Sequence, residues 1–134
     1  SLGLAYLKTG NDHAAVKYLR QAIDAIRRGS GDEDELLETR LNLGAALLKT
    51  GELDAAAQQF ETILSHDEES AAAHYHLARV YAEVRDPVRC VTELEISLAL
   101  DGEFRNLLQQ DSSFDRVRKT PQFSNLLKTL GAGT

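Results

Sequence analysis

The side chains best able to bind a metal in this chain are four histidines, one cysteine and 21 carboxylates. Helix-borne metal ligands converge only when they sit three or four residues apart. His74 and His76 are two apart in a stretch of helical periodicity, so their rings diverge by about 200° and cannot share an ion. His13 and His66 have no companion at ligand spacing. Cys90 has no second cysteine for an intramolecular disulfide and occupies a small-residue position, which makes it core filler. No phosphate-cradling glycine loop, HExxH pair or nucleophile elbow occurs. The carboxylates fall where solvated helix faces are expected. The residues therefore predict no catalytic group, no cofactor and no metal. They predict a chain that works by binding.

Elements able to present a binding surface are visible as a recurrence. Leu2, Gly3, Tyr6, Gly10, Ala15, Leu19 and Ala22 reappear as Leu43, Gly44, Leu47, Gly51, Ala56, Phe60 and Ile63, then more loosely as Leu77, Ala78, Tyr81, Arg85, Cys90, Leu94 and Ser97. Gly44 and Ala78 are 34 residues apart, whereas Gly3 and Gly44 are 41 apart, so the first unit carries seven extra residues. A fixed period of this size marks a stacked repeat array. In LLETRLNLGAALL, Leu36, Leu37, Leu43 and Leu47 keep helical spacing around small Gly44 and Ala45, where a neighbouring helix can approach closely. Gly10 and Gly51 are expected to end helices in the left-handed conformation. Asn11 or Asp12, Glu52 to Asp54, and Asp86 with Pro87 supply the acceptors and negative charge that helix starts need.

This pattern resembles the tetratricopeptide repeat family over about residues 1–102, most closely in LNLGAALLKTGELDAAAQQFETIL. Arg40 and His74 replace the usual large aromatic early in the first helix, Arg85 replaces a glycine, and the closing proline is absent. The resemblance implies an all-α fold: a right-handed α-solenoid of three helix-turn-helix units at about 1–34, 35–69 and 70–102. Residues 103–134 form a C-terminal helical cap in this reading. There Phe104, Phe114 and Val117 are the expected anchors, and Thr120 and Pro121 start the last helix. The segment AIDAIRRGSGDED predicts a helix to about Arg28 and then an edge loop, with GDEDELLE as an exposed loop feeding the next helix.

Composition bounds the partners. Residues 1–102 hold 10 Lys+Arg against 18 Asp+Glu, and the whole chain has a net charge of −6. No basic stripe with interleaved aromatics is present, so nucleic acid is not an expected partner. No apolar run is long enough to cross a bilayer and no signal-peptide pattern opens the chain, so membrane insertion is not expected either. Ser1 falls inside an expected repeat helix, which reads as a fragment of a larger protein. Its compartment is unknown from these residues, cytoplasm being the default.

In a tetratricopeptide array the first helix of each pair lines an inner, concave wall. The resemblance thus implies a peptide-binding groove of Leu4, Leu7 and Lys8 in the first unit, and of Glu38, Leu41, Asn42, Ala45, Leu48 and Lys49 in the second. In the third it adds Ala72, Tyr75, His76, Arg79, Ala82 and Glu83, with Tyr75 offering apolar contact and the alanines leaving room. Asn42 matches an asparagine of the family's carboxylate clamp. Leu4 stands where a second asparagine belongs, and Ala72 and His76 where cations belong, so the chaperone EEVD-type tail is a disfavoured partner. Lys8, Lys49 and Arg79 outnumber Glu38 and Glu83 on the wall, which favours a protein or peptide partner with some acidic character. The expected role is a non-catalytic adaptor or scaffold. The alternatives are a regulatory or recruiting segment of a larger enzyme or signalling protein, and homo-oligomeric self-assembly through open repeat faces.

Overall fold

The computed structural model describes residues 12–29 and 31–132, and every regular element among them is helical. They fall into two compact units that part between Glu68 and Glu69. The repeat motif of Leu2, Gly3, Tyr6 and Gly10 lies outside the described residues.

The first unit contains α1 (Asp12–Arg28), α2 (Glu33–Thr50) and α3 (Leu53–His66). Each helix buries residues at three- and four-residue spacing: Ala15, Leu19 and Ile23 from α1, Leu43, Ala46 and Leu47 from α2, and Ala56, Phe60 and Ile63 from α3. Gly44 is the notch the sequence implied. A Cβ there would stand 2.5 Å from Phe60 Cε1 and 2.6 Å from its Cζ. The helix therefore accepts the propensity loss of about 1 kcal/mol that glycine brings, so that an entire aromatic ring can lie against its backbone. Gly51 ends α2 with φ 84°, and the following two amides donate back into the helix, Gly51 to the Leu48 carbonyl and Glu52 to that of Leu47. Glu52 precedes α3 without a side-chain cap bond.

The seven extra residues do not form a loop. By register with α3 and α4, three of them prolong α1 to Arg28 and four are added to the start of α2, which leaves a four-residue connection at 29–32, as long as that at 67–70. The predicted edge loop through GDEDELLE is corrected accordingly. Asp32 caps α2 by accepting from the Glu35 amide at 2.7 Å, and Glu33, Asp34 and Glu35 fill the first turn, where their charge complements the exposed amides. A run of acids that looks like a solvated loop is, by the same electrostatics, a good helix start.

The second unit contains α4 (Ala71–Glu83), α5 (Pro87–Leu100), α6 (Phe104–Gln110), a 3-10 turn at Ser112–Phe114 and α7 (Pro121–Ala132). Ser70 and Asp86 cap α4 and α5, with Pro87 in the first turn of α5. The α4–α5 pair repeats the α2–α3 pair with one compensating exchange: Ala78 and Leu94, buried in one cluster, stand at the register of Gly44 and Phe60. A methyl is gained on one helix and an aromatic ring becomes an aliphatic chain on the other. Both pairs also carry a polar rung at the same register. Arg40 Nη1 donates to Gln59 Oε1 at 3.0 Å in the first, and His74 Nδ1 meets Glu93 Oε2 at 2.7 Å in the second. The residues replacing the usual aromatic thus tie the two helices of each pair together.

After α5 the chain folds back onto its own helices. Leu108, Phe114, Val117, Phe123 and Leu126 join Tyr75, Ala78, Ala82, Cys90 and Leu94 in one buried cluster, with Phe104 packed at its edge. Thr120 caps α7, its hydroxyl accepting from the Phe123 amide at 3.4 Å.

Candidate functional site

On α2 the predicted groove residues form one accessible strip. Leu41, Asn42, Ala45 and Leu48 are half-buried, and Glu38 and Lys49 are exposed. They recur at three- and four-residue intervals and so share one side of the helix. At its N-terminal end the strip is one wall of an open cleft of about 590 Å³ between α1 and α2. Tyr18, Ala22, Ala25 and Ile26 line the α1 side, and Glu35, Glu38, Thr39 and Asn42 the α2 side. The cleft has an apolar floor and a polar rim. The lengthening of α1 and α2 builds its far end, because Ile26 and Glu35 both belong to the added turns. Asn42 makes no hydrogen bond among the described residues, so its amide has both donors and acceptor to offer. Leu4, Leu7 and Lys8 lie outside the described residues.

On α4 the outcome differs. Tyr75, expected to turn outward, is 1% exposed, which corrects that assignment. Its ring stacks on Phe104 with centroids 4.9 Å apart and meets Phe114 edge-on at 5.5 Å. Its hydroxyl donates to Asp111 Oδ2 at 2.7 Å. Ala82, expected to leave room for an incoming chain, is likewise fully buried in the same cluster. The physical reason is common to both: segment 104–117 of the chain already covers that face of α4, and an aromatic gains more from a dry cluster than from a wet wall. Arg79 Nε donates to Ser113 Oγ at 3.1 Å and lies 3.9 Å from Asp111 Oδ2. Glu83 Oε2 pairs with Arg116 Nε at 3.7 Å. Residues 75, 79 and 83, one per turn, are therefore each held by the C-terminal segment. Ala72 and His76 stay half-buried beside them.

The charges in this contact are tuned by it. Burial alone would raise the Asp111 carboxyl, but hydrogen bonds from the Ser113 amide and the Tyr75 hydroxyl, with the Arg79 charge, hold it below its ordinary value. Burial and the same bond to Asp111 push the Tyr75 hydroxyl well up. Burial first, then the Arg79 guanidinium, lowers His76 to about 4. The geometry agrees: Arg79 Nη1 lies 2.9 Å from His76 Nδ1, and since arginine only donates, that nitrogen must carry a lone pair. His76 is thus neutral at pH 7. Asp111 and Ser113 had not been singled out in the sequence. The Asp-Ser-Ser run is a turn-capping signal, and Asp111 Oδ1 does accept from the Ser113 amide at 2.9 Å, but nothing local announces the tyrosine 36 residues away.

Cys90 is fully buried and its thiol is pushed up to about 12 by burial and by Asp86. No group of three or more potential metal ligands clusters among the described residues, and no described helix is long and apolar enough to cross a membrane.

A family model described as tetratricopeptide repeat matches residues 1–69. Over 99 residues the chain is 24% identical to the anaphase-promoting complex subunit CDC16 of Saccharomyces cerevisiae. That similarity takes in 74% of this chain and 12% of the yeast protein, so the chain spans about an eighth of its relative's length.

Proposed function

The chain belongs to the tetratricopeptide repeat family, whose members generally mediate protein–protein interactions, and on that premise we propose that it is a non-catalytic adaptor or scaffold segment. Its partner-binding surface in this proposal is the α2 strip of Leu41, Asn42, Ala45, Leu48 and Lys49, together with the adjoining α1–α2 cleft. The observation that carries the proposal is the contrast between the two first-helix faces. The α4 face is covered by the chain's own C-terminal segment, whereas α2 keeps an accessible strip with an unpaired amide beside an apolar floor. Such a surface suits an amphipathic segment that buries its apolar side on Ala22, Ala25 and Ile26 and sets its polar edge against Asn42 and Glu38. A chaperone carboxylate tail is not the proposed partner, because Ala72 and neutral His76 supply no cations.

The similarity to a subunit of a large complex, confined to a small part of that subunit, supports a second reading in which the segment recruits or positions partners for a larger polypeptide. Both readings share one test. Proteins retained by the immobilised chain are identified, and the affinity of each is measured for the wild type, Asn42→Ala and Lys49→Glu. About tenfold weaker binding in each variant is expected, the loss of a modest anchor. Unchanged affinity in both, with helicity intact, removes the α2 strip from the proposal.

A further inference from the structure

On the opposite side of α1 from the cleft is a recess of about 270 Å³ lined by Arg20, Ile23, Asp24, Arg27, Arg40, Leu43 and Gln59. Arg20, Asp24 and Arg27 are one face of α1, at intervals of four and three residues, Arg40 comes from α2 and Gln59 from α3. Three arginines lining one recess in a protein of net charge −6 need an account. Intramolecular ion pairing does not give one. Among the described residues neither Arg20 nor Arg27 forms an ion pair, and Asp24 pairs with none of the three, although it faces the same recess. Arg40 spends one donor on the neutral Gln59 side chain. The equivalent rung in the second unit shows how differently the same register can be served, for there His74 meets a carboxylate, Glu93. Arg27 is present only because α1 was prolonged by an extra turn.

We infer that this recess is a binding site for a phosphate group. Three guanidinium charges less one carboxylate leave a surplus of two, which matches the charge of about −1.5 to −2 on a phosphomonoester at neutral pH. A single carboxylate would leave half of that surplus uncompensated. The planar fork of arginine suits phosphate oxygens, and Arg40 is held for the purpose by its bond to Gln59 and its half-buried position. Ile23 and Leu43 form an apolar base that keeps water from competing fully for those donors. The group can be carried on a phosphorylated side chain of a partner protein or can come as free phosphate. The inference does not depend on the α2 strip, which lies across α1 from the recess.

The test is a titration of the isotope-labelled full chain with inorganic phosphate and with a phosphoserine peptide, following backbone amides of 20–27, 40 and 59 and the arginine Nε–H signals by NMR. Acetate and the unphosphorylated peptide are the controls. Saturable shifts at these residues with phosphate, absent with acetate, are expected, and Arg20→Glu with Arg27→Glu should weaken them at least about tenfold, because each reversal removes a charge-assisted contact. Both positions are exposed, so the fold should persist, and Arg20→Gln with Arg27→Gln is the milder pair should it not. A peptide binding at least about tenfold more tightly than free phosphate identifies the side-chain source, and equal affinities identify free phosphate. Asn42→Ala should leave all of this unchanged, which separates this site from the proposed protein-binding strip. No shift at Arg20, Arg27 and Arg40 with either phosphate probe, or shifts that survive the charge reversal, would overturn the assignment.

Discussion

Arg85 sits where the repeat resemblance asks for glycine, and it adopts the backbone glycine would: its φ is 60°, as against 84° at Gly51, 34 residues earlier. Both turns close with the same two hydrogen bonds, Arg85 to the Ala82 carbonyl and Asp86 to that of Tyr81 reproducing the pair at Gly51 and Glu52. The turn is thus dictated by the helices it joins, and an L-residue accepts the left-handed region at a cost of about 1 kcal/mol. Arg85→Gly should stabilise the protein by about that amount, seen as a rise of about 4 °C in the melting temperature. His76 gives a second prediction. Its folded value of about 4 lies below the ordinary 6.5, so between those limits the unfolded chain binds the extra proton and stability falls as the pH falls. The loss reaches about 3 kcal/mol at most, and Asp111, lowered in the fold, adds to it as the pH falls from its ordinary 3.8 towards its folded value. Denaturant melts at pH 7, 5.5 and 4 should show this decline, and His76→Gln should flatten the part between 6.5 and 4.

Helix pairs in this protein are matched sets, and the match can be tested by exchange. Gly44→Ala puts a methyl into the Phe60 ring and should cost about 1–2 kcal/mol, overpacking outweighing the gain in helix propensity. Phe60→Leu should then restore most of that loss, because Ala78 and Leu94 show that the smaller pair packs at this register. A coupling of about 1 kcal/mol or more in the double-mutant cycle is the expected signature. Pairings of this kind were legible in the sequence, since a 34-residue register and small-against-large alternation are local signals. So were the end of α1 at Arg28, the Asp86–Pro87 start of α5 and the break at Thr120–Pro121. The added turns were misread because four acids in succession suit both a loop and a helix start, and only the Asp32 cap decides between them. The burial of Tyr75 was not legible at all. Periodicity placed it on the correct face of α4, but what covers that face comes from a segment with no repeat register of its own.

At the scale of the molecule the chain is two compact units, and its single thiol lies in the second, sealed among Leu94, Phe114 and the other members of that cluster. A buried thiol with a value of about 12 presents almost no thiolate near neutrality. An alkylating reagent can therefore reach it only while residues 69–134 are open, which makes Cys90 a native reporter of that event. Its labelling under native conditions should be slow; divided by the labelling rate of the denatured chain at the same pH, it should rise as the solution is acidified towards pH 4, and it should fall again in Arg85→Gly. The residue that looked inert in every chemical sense becomes a clock for how often this half of the protein lets its C-terminal segment go.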